Sequence, residues 1–172
     1  LNTVVAPSIT ATVAPAAASV LSAITVRSGR TNAFTLTPTE TSATAAVLKG
    51  VKDKTSLNGN FANVTTISAS PAADIIALFA PTLANGTSAN TTFAADITIK
   101  VNDITAAASD LVAINKLSTT DIDADDTTTT ITGGAADVVL ALGAGVAHKA
   151  NVAVTITEAT TAAADLEAIA LT

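Results

Sequence analysis

The chain has 172 residues, of which 49% are hydrophobic and 2% aromatic, and its net charge is −6. This is enough apolar residue for one domain or a short repeat array. Most of it is Ala and Val, which bury little area each, so regular stacking and backbone hydrogen bonding must carry the fold. The absence of Cys excludes a disulfide framework and a thiolate metal site, and the scattered Lys and Arg exclude a nucleic-acid footprint.

Residues 1–26 carry no charge. Val4, Val5, Ile9, Val13, Ile24 and Val26 read as strand positions, and Pro7 and Pro15 confine the first of these strands to an edge or an extended arm. Proline, Thr and Ser interrupt the stretch too often for a spanning helix, so no membrane insertion is expected. The chain begins with Leu and has no basic segment leading into an apolar one, so it is expected to be a processed product or a fragment. The expected organisation is an extended N-terminal arm over residues 1–30 and a strand–helix repeat domain over 31–172. An apolar arm needs cover, either from its own repeats or from the next subunit by strand addition. The six apolar residues just named are therefore the candidate assembly contacts.

Internal repeats are the most informative feature. Residues 65–80 (TTISASPAADIIALFA) align with 129–144 (TTITGGAADVVLALGA) across one single-residue gap. Residues 97–114 (ITIKVNDITAAASDLVAI) align without a gap with 152–169 (VAVTITEATTAAADLEAI), and 34–51 is a weaker copy of this second type. Each unit opens on period-two alternation, as in Ile97, Ile99 and Val101, which marks a strand with one buried face. Apolar residues at helical spacing follow, as in Leu111, Ile114 and Leu117. Five strand–short-helix units are expected, near 34–52, 64–83, 96–117, 129–144 and 151–171, with helices of about three turns. Ser70-Pro71 reads as an N-cap followed by Pro at the first helical position, and Thr105 and Thr160 as caps of the other type. Asp74, Asp110, Asp137 and Asp165 fall in or near first turns, where a carboxylate offsets the helix dipole. Residues 58–60, 85–88 and 121–130 read as polar loops, the last of which starts as strand in one reading.

Candidate chemistry is sparse. Asp121, Asp123, Asp125 and Asp126 form the only dense carboxylate cluster, and D-x-D-x-D matches the first half of a calcium loop. No Gly stands at the sixth position and no Glu at the twelfth, so a strand end with solvated acids is the alternative to calcium as a cofactor. His148 is the sole histidine and reads as a turn residue between helix and strand. No nucleophile elbow or phosphate-binding glycine loop is present, so no enzyme activity is expected. Asn63, Asn85 and Asn90 lie in N-x-Thr sequons, which chance alone supplies in a Thr-rich chain.

The strings TITGGAADVV (130–139) and VTITEATTAAADL (154–166), with Asp121-Ile122-Asp123-Ala124 as a "VDA" step, resemble repeat regions of large secreted bacterial cell-surface proteins of the cyanobacterial type. The resemblance covers about residues 64–172. It implies a structural or adhesive role and carries over no catalytic residues. Many such proteins have Gly-Gly-x-Gly-x-Asp calcium repeats, which this chain lacks.

The fold class expected is thus a β-rich α/β repeat: solenoid-like strand–short-helix units with an extended N-terminal strand arm. The function expected is structural: an extracellular or cell-surface protein whose partner is itself, polymerised into a filament or surface-layer lattice against the cell envelope. The alternative is an adhesin or spacer module that binds a glycan or surface, although sugar sites usually present the Trp or Tyr faces missing here.

Overall fold

The computed structural model describes residues 9–26, 32–80, 91–124 and 126–170. Each of the six helices among the described residues opens on an Ala followed three positions on by a larger aliphatic residue. The first unit comprises β1 (Ile9–Thr12) and α1 (Ala18–Ser22), and the second β2 (Asn32–Thr35), β3 (Ser42–Thr44) and α2 (Ala45–Lys52). The third comprises β4 (Gly59–Phe61), β5 (Thr66–Ser70) and α3 (Ala72–Phe79). The fourth has β6 (Thr91–Phe93), β7 (Thr98–Val101), β8 (Thr105–Ala107) and α4 (Ala108–Asn115). The fifth has β9 (Ile122–Asp123), β10 (Thr130–Gly133) and α5 (Ala135–Leu142), and the sixth β11 (Val146–Ala147), β12 (Ala153–Ile156) and α6 (Ala163–Ala170).

All strand pairings among the described residues are parallel. The sheets run β1-β2, β4-β6, β3-β5-β7-β9-β11 and β8-β10-β12. Partners are separated by one strand–helix unit: Ile9 meets Asn32, Ser42 meets Thr66, Lys100 meets Asp123, and Thr130 meets Ala153. Consecutive helices pack on one another from α1 through α6. The fold is therefore α/β, with parallel sheets and repeat-like units. Its core is the space between sheets and helices. The helices contribute Ala45, Leu48 and Val51 and their counterparts, such as Ala72, Ile75 and Leu78. The strands contribute in-register rows, such as Ala43–Ile67–Ile99 and Ala106–Ile131–Val154.

Two pitches coexist in this stack. Strand partners such as Ser42 and Thr66 are 24 residues apart, whereas α1, α2 and α3 begin 27 residues apart, at Ala18, Ala45 and Ala72. Each helix thus starts a few residues later than the strand register below it requires. The residue lying over a helix N-terminus consequently belongs to the extended segment ahead of the next helix. Side chains there reach back to cap the earlier helix, whose first N–H groups have no partner within it. The Ala18 N–H donates to Glu40 Oε1 (2.6 Å), the Ala45 N–H to Ser70 Oγ (2.9 Å), and the Ala72 N–H to Asp103 Oδ2 (2.6 Å).

This geometry corrects several expectations. Ser70 does not cap its own helix: Pro71 is the N-cap residue of α3, with no side-chain bond, and Ser70 caps α2 instead. Thr105 lies inside β8, and Ala107 is the residue ahead of α4, again without a side-chain cap. Asp74, Asp110, Asp137 and Asp165 do occupy first turns. Helices α2 to α6 have eight residues each, nearer two turns than three. Residues 59–60, read as loop, belong to β4, because pairing with β6 brings the Phe61 and Phe93 rings to 5.2 Å and buries Phe61. Gly59 leaves room for that ring, since a Cβ there would stand 3.0 Å from it. Within the stretch read as an arm, residues 9–26 contain β1 and α1, and Ala18 and Leu21 join the core. Burial of Ala18 and Leu21 against the core, a tertiary contact, overrides the extended reading. Ile24 and Val26 lie outside any strand.

Candidate functional site

The acidic cluster is organised around a lysine. Lys100 leaves β7 opposite Asp123 of β9, and its Nζ lies 2.8 Å from Asp123 Oδ2 and 3.4 Å from Asp126 Oδ2. The hydrogen bonds that Lys100 donates to Asp123 and Asp126 raise its pKa above the ordinary lysine value. Asp121 is exposed and Asp125 lies outside the described residues. Among the described residues, no group of three or more His, Cys, Asp or Glu gathers in a way that could hold a metal ion. The ammonium thus stands where two of the four expected calcium ligands meet.

His148 follows β11 and contacts backbone. Its Nδ1 is 3.1 Å from the Lys149 carbonyl oxygen and its Nε2 3.1 Å from that of Leu142, at the end of α5. Nearby Gly145 has a φ of 96°, and a Cβ there would collide with the Asn115 amide. The histidine therefore ties the α5 exit to the next strand, as its reading as a turn residue requires.

Lys52, at the last position of α2, is an unexpected buried cation, only 1% exposed. Its Nζ donates to the Leu78 carbonyl at 2.7 Å and to that of Ala80, where α3 ends. Burial pulls its pKa below the ordinary lysine value, against the opposing pull of the Asp53 carboxylate. Cross-unit capping thus operates at both helix ends: Ser70 holds the start of α2 from the following unit, and Lys52 holds the exit of α3 from the preceding one.

The acids that stand ahead of the helices follow the two repeat types of the sequence. Glu40, Asp103 and Glu158 each stand five residues ahead of a helix, in the units of the second type. Glu158 folds over Gly134, the residue ahead of α5, so closely that a Cβ there would lie 2.5 Å from its Oε1. Units of the first type carry Ser70 and Gly133 two residues ahead of their helices. At Gly133 a side chain would press on Ala108, its Cβ 3.0 Å from that of the alanine. The alternation was visible in the sequence; its role was not, because local caps explain the same residues until the register is known. Ser70→Ala is expected to destabilise the chain by about 1 kcal/mol in urea unfolding, the usual cost of losing a helix cap.

The described candidate assembly residues differ in exposure. Ile9 is exposed in β1, Val13 and Ile24 pack partly against the core, and Val26 is half-buried; Val4 and Val5 lie outside the described residues. No helix among the described residues is long and apolar enough to cross a membrane. No protein-family model matches the chain, and comparison with curated proteins and solved structures finds nothing similar.

Proposed function

We propose that the chain is a solenoid-type structural module of an extracellular or cell-surface protein, polymerising with its own copies into a filament or surface-layer lattice. The observation that carries this reading is the uniform parallel pairing of each unit with the next, reinforced by caps that cross between units. A stack of that kind is quasi-one-dimensional, each unit contacting its neighbours through joints of one type that a further copy can extend. Its interior is mostly aliphatic, and the Lys52 and His148 side chains are engaged in holding backbone. The likeness of residues 64–172 to repeat regions of secreted bacterial surface proteins points the same way.

Negative-stain electron microscopy of the purified chain, in calcium and in chelator, tests the proposal. Concentration-dependent filaments or sheets are the expected result, and they should persist in chelator because the Lys100 ammonium already pairs with Asp123 and Asp126. Loss in chelator would instead assign calcium to the 121–126 cluster. Isolated particles in every condition would overturn self-assembly and leave the spacer or adhesin reading.

A further inference from the structure

Alternate residues of the interior strands face inward, where Ile67, Ile99, Ala106 and Ile131 are buried. The residues between them face outward, and the parallel register lines them up from unit to unit. Ser42, Thr66 and Thr98 form one row across β3, β5 and β7, with Thr44 and Ser68 side by side in the next. Across β8 and β10, Thr105 stands beside Thr130 and Ala107 beside Thr132, which continues to Thr155 of β12. Every one of these residues is exposed or half-buried. Strand propensity accounts for a threonine at any single outward position. It does not account for rows that hold no charge and no large apolar side chain.

The hydroxyls in these rows behave differently from those at the bends between strands. At the bends, Thr55 donates to the Phe34 carbonyl, Thr120 to that of Ile97 and Thr128 to that of Asp103. Among the described residues, the hydroxyls of Ser42, Thr66, Thr98, Thr105, Thr130 and Thr132 have no partner within the chain. They are left for solvent. Thr is also stiff at χ1, because two heavy atoms branch from its Cβ. Each row therefore presents hydroxyl and methyl groups at fixed positions, with little side-chain entropy left to lose on binding. The first grid stops where β7 and β9 carry Lys100 and Asp123, whose charges pair with each other at 2.8 Å.

We propose that the outward hydroxyl grids of β3-β5-β7 and β8-β10 bind ice. The ligand is selected by spacing and by charge. Neighbouring strands lie about 4.8 Å apart, and alternate residues along a strand about 6.6 Å apart. These two spacings are close to the oxygen repeats along the two axes of a prism face of hexagonal ice. Water held by the free hydroxyls and around the methyl groups thus starts near lattice positions, and the growing crystal continues it. A neutral face is required, because an ion orders water around itself rather than in the lattice, and both grids are neutral. A soluble ligand would need a concave site with convergent polar groups, whereas these hydroxyls diverge from a sheet face. The inference is independent of the self-assembly reading.

Partition of the fluorescently labelled chain into a slowly growing ice hemisphere tests this directly, with thermal hysteresis as a second readout. The parent chain is expected to enter the ice and to hold the freezing point below the melting point. The double variant Thr66→Tyr, Thr130→Tyr places a bulky ring on each grid at positions where tyrosine is a good strand former. It should keep the parent's circular dichroism spectrum and lose both effects. A second pair, Thr44→Lys with Thr105→Lys, puts charge on the grids at exposed positions and should lose them too. Ala113→Tyr, exposed on α4, adds the same ring away from the grids and should leave both effects intact. Exclusion of the parent from ice would overturn the proposal, as would equal uptake of the parent and the folded double variants. Neither outcome would bear on whether the chain polymerises.

Discussion

Replacing Lys52 with alanine is expected to cost about 3 kcal/mol of folding stability, more than any exposed charge in the chain. The ammonium is buried and donates to two carbonyls at the end of α3, where a helix leaves C=O groups without intrahelical partners. Alanine removes the donors together with the stem that fills the space between α2 and α3. Stranding a buried acceptor costs about 1–3 kcal/mol, and the lost packing adds to it. Lys52→Met separates the two contributions. It restores the stem volume, strands the same carbonyls and abolishes the cost of burying a charge, which often rivals what a buried charge contributes. Its expected cost is about 1 kcal/mol. Urea unfolding of the three proteins measures both values, and a Met variant as stable as the parent would show that relief from burying the charge offsets the stranded carbonyls in full.

The same lysine gives a signed pH dependence. Its folded pKa lies below the ordinary lysine value of 10.5 because burial disfavours the charged form. Between the folded value and 10.5, the unfolded chain therefore holds a proton that the folded chain has released. Stability contributed by this group rises with pH across that window. Lys100 acts oppositely: its folded pKa is raised, chiefly by hydrogen bonding to Asp123, so its contribution is intact below 10.5 and is lost as pH climbs through the raised value. The difference in unfolding free energy between the parent and Lys52→Met, followed from neutral pH towards 10.5, isolates the first effect. It should grow in favour of the parent, and a flat difference would mean that the amine is not desolvated.

What the sequence disclosed, it disclosed through periodicity. The strands around Ile67, Ile99 and Ile131 announce themselves by alternation, and the helices by aliphatic residues three apart, so the five expected units match five helices nearly in place. The first unit escaped because α1 has only five residues in a run of Ala broken by Pro15, too short for a helical period to register. Strand β4 escaped because Asn58, Gly59 and Asn60 carry the composition of a turn, and only the tertiary demand of Phe61 for cover overrides it. The caps were assigned to the wrong helices for a deeper reason. Whether Ser70 serves α3 or α2 depends on the offset between strand register and helix start, a three-dimensional quantity that no local window contains. Lys52 was invisible for the same reason, since its acceptors lie 26 and 28 residues away.

Ile67→Ala should be the most damaging single truncation in the sheet, at about 4 kcal/mol, towards the upper end for a large-to-small change in a core. Ile67 is fully buried in β5, with Ala43 on one side of its row and Ile99 on the other. A cavity costs most where neighbours cannot move in. Ala43 is already too short to reach, and Ile99 is fixed by the pairing of β7 with β5 and β9. Truncating Ile104 instead, which is 70% exposed, should change stability by less than about 0.5 kcal/mol. The spatial pattern of the loss is the sharper measurement. If units couple chiefly to their neighbours, hydrogen exchange in Ile67→Ala should accelerate in β3, β5 and β7 and in α2 and α3, while β10 and α5 keep most of their protection. Uniform acceleration across the chain would mean that the six units unfold as one block, and that the crossing caps at Glu40, Ser70 and Asp103 bind neighbouring units more tightly than the cavity separates them.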